Sequence, residues 1–369
     1  MYTRQLVTDA SFSSHYEKKH SETLAPYIHC EQGRDMPQME KQSKIHTVSW
    51  KQDILPLFPA KLQEMLRHIE EDIPIEEIRI RAGQPLQLCC SGYERLLYSA
   101  GACPAASVLD CAQIVERVCD HSIYAWEEEL KSGFLTLPGG YRIGLCGKAV
   151  REGESISRLT DITSINIRIA RACVGAADAL LPRILREDGS PYPTLLISPP
   201  GCGKTTMLRD LVRQLSFGLN GARPVRICVV DERMEIAGCV RGVPQYELGP
   251  RTDVLSGCAK REGIRLAVRV LSPEVVVTDE LGAKEDADAV QEAAYSGVVT
   301  IASAHVSDIA ALSKRRTLVE LIESGAFERL VLLGRREGRV GCTIGVWDGA
   351  MQPLPEQGRG LLCFERSQC

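Results

Sequence analysis

The chain is poor in aromatic residues: Phe, Trp and Tyr make up 5% of its 369 residues. That weighs against a platform that stacks the bases of single-stranded nucleic acid. An excess of positive charge is also missing. Lys and Arg number 44 against 48 Asp and Glu, a formal net charge of −4. A globally basic surface for nucleic acid or lipid headgroups is thereby excluded, and no nucleic-acid partner is expected. No apolar run approaches the ~18 residues that cross a bilayer. The first residues, MYTRQLVTDASFSSHYEKKHSET, lack the apolar stretch of a signal peptide. A cytoplasmic chain is expected, with membrane contact only through partners. The 15 cysteines include no C-x-x-C pair. They read as reduced thiols and not as a zinc or redox centre.

At roughly 150 residues per domain, the length suggests about two domains. Residues 1–47 stand apart, with four of the seven histidines, balanced charges and no apolar periodicity. They read as a disordered extension, in which Met36 and Met39 are alternative candidate starts. Residues 48–171 read as an α+β domain. Helices are expected at Leu55 to Glu70, Val108 to Val118 and Ile123 to Leu130. Glu77 to Arg81 and Ile165 to Ile169 alternate as strands. Pro138-Gly139-Gly140 turns a hairpin between Phe134–Leu137 and Tyr141–Leu145. Residues 172–193 form a bridge, with a helix expected over Ala176 to Leu185. From 194 to 369, short apolar runs at 194–198, 225–230, 274–278 and 298–302 alternate with helical patterns at 204–216 and 284–295. That rhythm predicts βαβ units and a mainly parallel sheet.

Ser198-Pro199-Pro200-Gly201-Cys202-Gly203-Lys204-Thr205-Thr206 follows an apolar strand and opens a helix. This is the setting of a phosphate-binding loop. Backbone N–H groups and the helix N-terminus would cradle phosphates, Lys204 would reach the β and γ phosphates, and Thr205 would ligate Mg²⁺. Ser198 stands where such loops carry their first glycine. Two further strands end in paired acids, Asp231-Glu232 and Asp279-Glu280. Asp279 is a candidate for the Mg²⁺ shell, directly or through water. Glu280 and Glu232 are candidates to polarise a water. The strand at 298–304 ends at His305, a candidate γ-phosphate contact. Arg241, Arg251, Arg261, Arg265 and Arg269 crowd the segment between the acidic strands. Arg251 is the chosen candidate for an arginine acting on a neighbouring subunit's nucleotide. Cys202 lies inside the phosphate loop, so its modification should block nucleotide.

These four marks resemble the secretion ATPases of type II and type IV secretion and of type IV pili. Asp279-Glu280 replaces the Gly-Glu usual there, and Ser303-Ala304-His305 replaces Thr-Leu-His. The segments at 78–86, 122–130, 137–148, 231–238 and 249–255 are similar to the sporulation stage III AA branch. The resemblance implies a RecA-like P-loop NTPase core, of the AAA+ kind, under a smaller α+β N-terminal domain. It implies ATP and Mg²⁺ as cofactors, ATP hydrolysis and a homohexamer. It places the protein in the mother cell, at the channel to the forespore, with the membrane proteins AB, AG–AH and Q as partners. The family's N-terminal domain contributes arginines to the nucleotide, for which Arg168 and Arg171 are the candidates.

Overall fold

Two sheets organise the chain, and the alternation of their side chains explains how each is covered. The computed structural model describes residues 50–355, apart from 71–72, 74, 91–92, 98–105, 120–125, 127–132, 154, 170–172 and 337–338. The N-terminal extension, Arg171 and most of the expected helix at Ile123 to Leu130 lie outside these residues.

The first sheet is six-stranded and antiparallel, in the order β3-β2-β1-β6-β5-β4. Its strands are β1 (Ile75–Arg81), β2 (Leu86–Cys90), β3 (Tyr93–Leu97), β4 (Phe134–Leu137), β5 (Tyr141–Glu152) and β6 (Ser155–Arg168). One face carries Ile78, Ile80, Leu135, Ile143, Ile165 and Ile167, all buried. It packs with Ile54, Leu62, Leu66 and Ile114 of helices α1 (Trp50–Ile54), α2 (Ala60–Arg67) and α3 (Val108–Val118). The opposite face is polar, as a half-covered antiparallel sheet requires. The helix expected over Leu55 to Glu70 is broken. Pro56 sits in a 3₁₀ turn at Leu55–Leu57, and Pro59 precedes α2. Neither proline has the N–H that a continuous helix needs.

The second sheet has seven strands in the order β13-β12-β7-β11-β10-β8-β9. These are β7 (Thr194–Ser198), β8 (Ile227–Asp231), β9 (Thr252–Ser256), β10 (Val275–Thr278), β11 (Val299–His305), β12 (Arg329–Arg336) and β13 (Arg339–Asp348). All pair in parallel except the terminal β13. Leu196, Val229, Val277 and Ile301 face α4 (Lys204–Phe217) through Met207, Leu208, Leu211 and Leu215. Leu195, Ile197, Val230, Val276 and Ala302 face the other way. They meet α5 (Lys260–Leu266), α6 (Lys284–Tyr295) and α8 (Arg316–Glu323), the last following the short α7 (Ile309–Leu312). Burial on both faces is why these strands read as continuous apolar runs. The expected mainly parallel sheet is present, with β9, β12 and β13 as strands the periodicity did not single out.

Ala176 to Leu185 is not an α-helix. It runs as successive turns and a 3₁₀ helix at Leu181–Arg183. Pro182 lacks the N–H for an α-helical bond and disfavours α geometry at Leu181. Most bonds there span three residues, such as Arg183 N–H to Leu180 O at 2.9 Å, beside one α-type bond from Leu181 N–H to Ala177 O at 2.8 Å. Cys202, Cys228, Cys239 and Cys258 are free thiols. Cys173 and Cys342 are disulfide-bonded, unlike the reduced thiols expected throughout. Spacing along a chain carries no record of which sulfurs the fold brings near one another.

Close approach fixes a glycine on α5. A Cβ at Gly263 in α5 would meet Val230 Cγ1 at 2.5 Å and Cys258 Sγ at 2.8 Å. Gly263→Ala should therefore cost about 1–3 kcal/mol of stability. A denaturation midpoint equal to that of the unmutated chain would show that α5 is not seated on β8 in this way.

Candidate nucleotide site

The carboxyl ends of the parallel strands meet along one edge of the second sheet, where α/β folds bind ligands. After β7 the chain turns through Gly201 and Gly203, with φ of 68° and 84°. Side chains rarely adopt this conformation, and glycine adopts it freely. Gly203 caps α4, whose first residue is Lys204. The β7–β11 register sets Ser198 directly beside His305.

That register decides where the lysine goes. Lys204 is buried. Its Nζ donates to Ser198 Oγ at 3.1 Å and to His305 Nδ1 at 2.9 Å. Longer contacts of 3.4 Å run to the carbonyls of Ser198 and Pro199. An ammonium only donates, so His305 Nδ1 accepts and the imidazole proton sits on Nε2. Nε2–H then donates to Glu280 Oε1 at 2.8 Å. Arg233 forms an ion pair with the other oxygen of Glu280. Burial raises the Glu280 carboxyl, but the His305 hydrogen bond and the charges of Arg233 and Lys204 hold it below the usual glutamate value. Burial lowers the Lys204 ammonium.

Glu280 has a φ of 40°, an uncommon geometry for a residue with a side chain. β11 holds it there: Glu280 N–H donates to Ser303 Oγ at 3.1 Å, and Leu281 N–H to Ser303 O at 2.7 Å.

A cavity of about 740 Å³ lies between this edge and the polar face of the antiparallel sheet. Pro200 to Thr206, Glu280, Ser303 and His305 line it from one side. Arg142 and Arg168 line it from the other, with Arg233 and Glu235 from the turn after β8. Arg142 Nη1 reaches Glu235 Oε1 at 2.6 Å, across the two sheets. Arg168 is held by Glu77 at 3.0 Å. Lys204, Arg142, Arg168 and Arg233 against two carboxylates make a site for a polyphosphate anion.

Ser198, Pro199, Asp279, Glu232 and Arg251 stand outside that lining. Ser198 and Pro199 act behind the loop by holding Lys204. Glu232 turns away from the cavity and pairs with the buried Lys260. Arg251 lies at the opposite edge of the sheet, where β9 begins. There its Nη1 donates to Ser216 O at 3.0 Å, at the end of α4. It serves α4 of its own chain in this geometry, a role that a count of arginines does not reveal. Asp231 organises a loop: its carboxylate accepts the backbone N–H groups of Glu235, Ile236 and Ala237 at 2.8–3.2 Å. Sequence reasoning missed Arg142, Arg233, Glu235 and Lys260. A signal existed for Arg142, because strand alternation puts it on the same face as Arg168.

Asp279 is 1% exposed, and both its oxygens are buried without a hydrogen-bond partner. Lys260 Nζ is 3.6 Å from Oδ1. A buried carboxylate with unpartnered oxygens fits the shell of a Mg²⁺ completed by phosphate oxygens and waters.

With the geometry in place, comparison with known proteins decides the family. The model of the family "Sporulation stage III, protein AA" matches residues 48–352. The chain belongs to the sporulation stage III protein AA family. It is 43% identical over 288 residues to stage III sporulation protein AA of Bacillus subtilis, covering 78% of this chain and 92% of that one. It is 32% identical over 180 residues to the uncharacterized protein ycf45 of Cyanidium caldarium, covering 48% of this chain and 50% of that one. The X-ray structure of the Legionella pneumophila ATPase DotB superposes with a TM-score of 0.52 at 17% identity, over 75% of this chain and 76% of that one. This family member thus shares its α/β fold with that structure.

Burial pushes the Asp279 carboxyl up to about 6, only partly offset by Lys260. An acid whose value is higher folded than unfolded favours the native state when protonated. Its stabilisation is therefore lost as pH rises from about 4 through about 6. Asp279→Asn should raise the melting temperature of nucleotide- and metal-free protein at pH 8, at about 2–4 °C per kcal/mol. The gain should shrink towards pH 4. Scanning calorimetry in chelator checks it, and a gain that does not vary with pH would contradict the cause given.

Proposed function

We propose that the chain hydrolyses ATP, with Mg²⁺, as the homohexameric motor of the channel between mother cell and forespore in endospore formation. The observation that carries this reading is the contact chain Lys204–His305–Glu280–Arg233. It joins a phosphate-loop lysine to a carboxylate capable of taking a proton from water. In the reaction, water attacks the γ-phosphorus, its proton passes towards Glu280, and the bond to the ADP oxygen breaks. Lys204, Arg233, Arg142 and Arg168 surround the phosphates and stabilise the charge that spreads over them. Thr205 and Asp279 would hold the Mg²⁺, which neutralises phosphate charge and orients it. His305 bridges lysine and glutamate, so an arriving γ-phosphate that draws Lys204 forward changes what holds Glu280.

Membership of the sporulation family supports the cellular setting. The mother-cell cytoplasm and the channel's membrane proteins AB, AG–AH and Q follow from the family resemblance. None of the described helices is long and apolar enough to cross a membrane. Attachment through those partners agrees with that. The architecture shared with secretion ATPases supports the ring and the rotation of subunits within it.

A second reading is a slowly hydrolysing nucleotide-dependent scaffold or switch of the same complex. The observation favouring it is that Glu280 is held by both Arg233 and His305, which lowers its readiness to accept a proton. Lys204→Ala should abolish ATP binding in a titration. Glu280→Gln should keep ATP affinity and lower turnover at least about 100-fold. The motor reading fails if Glu280→Gln leaves both turnover and spore yield unchanged. Lost turnover with normal spore yield would favour the switch.

A further inference from the structure

A loop that cradles phosphates turns its N–H groups inward, so its carbonyls point outward and need partners of their own. From Ser198 to Gly203 each carbonyl has one. The Lys204 ammonium lies 3.4 Å from those of Ser198 and Pro199. The Cys202 thiol donates weakly to Pro200 O at 3.8 Å. Met207 N–H, in the first turn of α4, donates to Gly203 O at 2.9 Å. The remaining two carbonyls are taken by the hairpin of β12 and β13. Arg335 Nη2 donates to Gly201 O at 3.0 Å, and Gly341 N–H donates to Cys202 O at 3.2 Å.

These holds differ in kind. In the reading above, an arriving phosphate draws Lys204 forward, which loosens the first two. The hairpin contacts come from behind the loop. Gly201 and Cys202 line the cavity, while Arg335 and Gly341 stand outside that lining.

The strand pairing builds this clamp. Gly334 pairs with Cys342 and Arg336 with Arg339, so two steps on β12 match three on β13. Arg335 therefore faces both Val340 and Gly341, a β-bulge, which frees a residue from the ladder and re-aims its neighbours. Gly341 has a φ of 72°, which glycine adopts freely, and its N–H goes to the phosphate loop instead of β12. On the loop side, a Cβ at Gly201 would lie 3.3 Å from Arg335 Nη2. The glycine lets the guanidinium approach.

We propose that Arg335 is a positioning residue of the phosphate loop, holding Gly201 O from behind so that the loop N–H groups face the phosphates before nucleotide arrives. This rests on the nucleotide reading above and adds what keeps the loop in shape. The test compares the unmutated full-length chain with Arg335→Met, Arg335→Lys and Arg336→Met. The last removes the same charge from the next residue, which is also exposed. Titrations measure ATP and ADP affinity, and deuterium uptake over residues 201–206 is followed in nucleotide-free protein. Arg335→Met should weaken ATP and ADP alike by about tenfold, the effect of one lost charged hydrogen bond, with unchanged stoichiometry. It should also speed uptake over 201–206. Arg335→Lys keeps a donor and should recover most of the affinity. Arg336→Met should match the unmutated chain in both measurements.

Unchanged affinities in Arg335→Met, with a lower melting temperature, would make the residue merely structural and overturn the inference. A loss confined to ATP overturns it as well, since that marks direct contact with the γ-phosphate. So does weaker binding with unchanged uptake, which would place the effect on the ligand and not on the loop. An equal loss in Arg336→Met would assign the effect to the charge of the hairpin, against the inference. An unmutated chain that binds neither nucleotide overturns the nucleotide reading instead, and the uptake comparison, made without nucleotide, still decides whether Arg335 holds the loop.

Discussion

The shared hold of Ser198 and His305 on the Lys204 ammonium is the contact on which the rest of the site depends. A buried cation is costly unless hydrogen-bonded, and here its acceptors come from the ends of two adjacent strands. The β7–β11 register puts Ser198 opposite His305, so the site is a consequence of strand pairing. The same pairing runs on to Ser303, which holds Glu280 in its strained backbone geometry. A one-residue slip would turn these side chains to the other face of the sheet. The doubly covered apolar strands resist such a slip, because it would exchange the sets of residues packed against α4 and against α5 and α6.

The antiparallel sheet completes the cavity through a small number of cross-sheet contacts. Arg142 reaches Glu235, and the Gly139 N–H donates to Gln245 Oε1 at 3.0 Å. Glu235 belongs to the turn that Asp231 organises, and Arg209 of α4 donates to its carbonyl at 2.7 Å. The acidic turn therefore joins three parts: the strand edge, the helix behind the phosphate loop, and the opposing sheet. Its contribution is positional, and this explains why its second acid, Glu232, is free to serve Lys260 instead of the cavity.

Much of this was legible in the residues before any coordinates. A phosphate loop is a local motif, so strand, glycines, lysine and helix are read from one window. Asp279-Glu280 and His305 were equally readable, because each ends a short apolar run. The differences between expectation and placement fall where distance along the chain hides contact. Arg251 is one arginine among several in its segment, and only the parallel pairing of β8 with β9 puts it at the far edge. Glu232 and Asp231 look alike in sequence, yet their side chains face different neighbours. Pro182 broke a helix whose apolar spacing was otherwise convincing, because spacing records which face is buried and not whether the backbone bonds close.

Arg142 shows what a fuller reading of alternation would have supplied. The hairpin was assigned from its turn, and Ile143 from its apolar character. The residues on either side of Ile143 then necessarily share the opposite face. Arg168 on β6 is a candidate through the family resemblance, and Arg142 is its cross-strand partner. Carried one pair further, the register also brings Gly144 beside Asn166. In a half-covered sheet the polar face is as strictly patterned as the core, and here it is the polar face that closes over the phosphate loop.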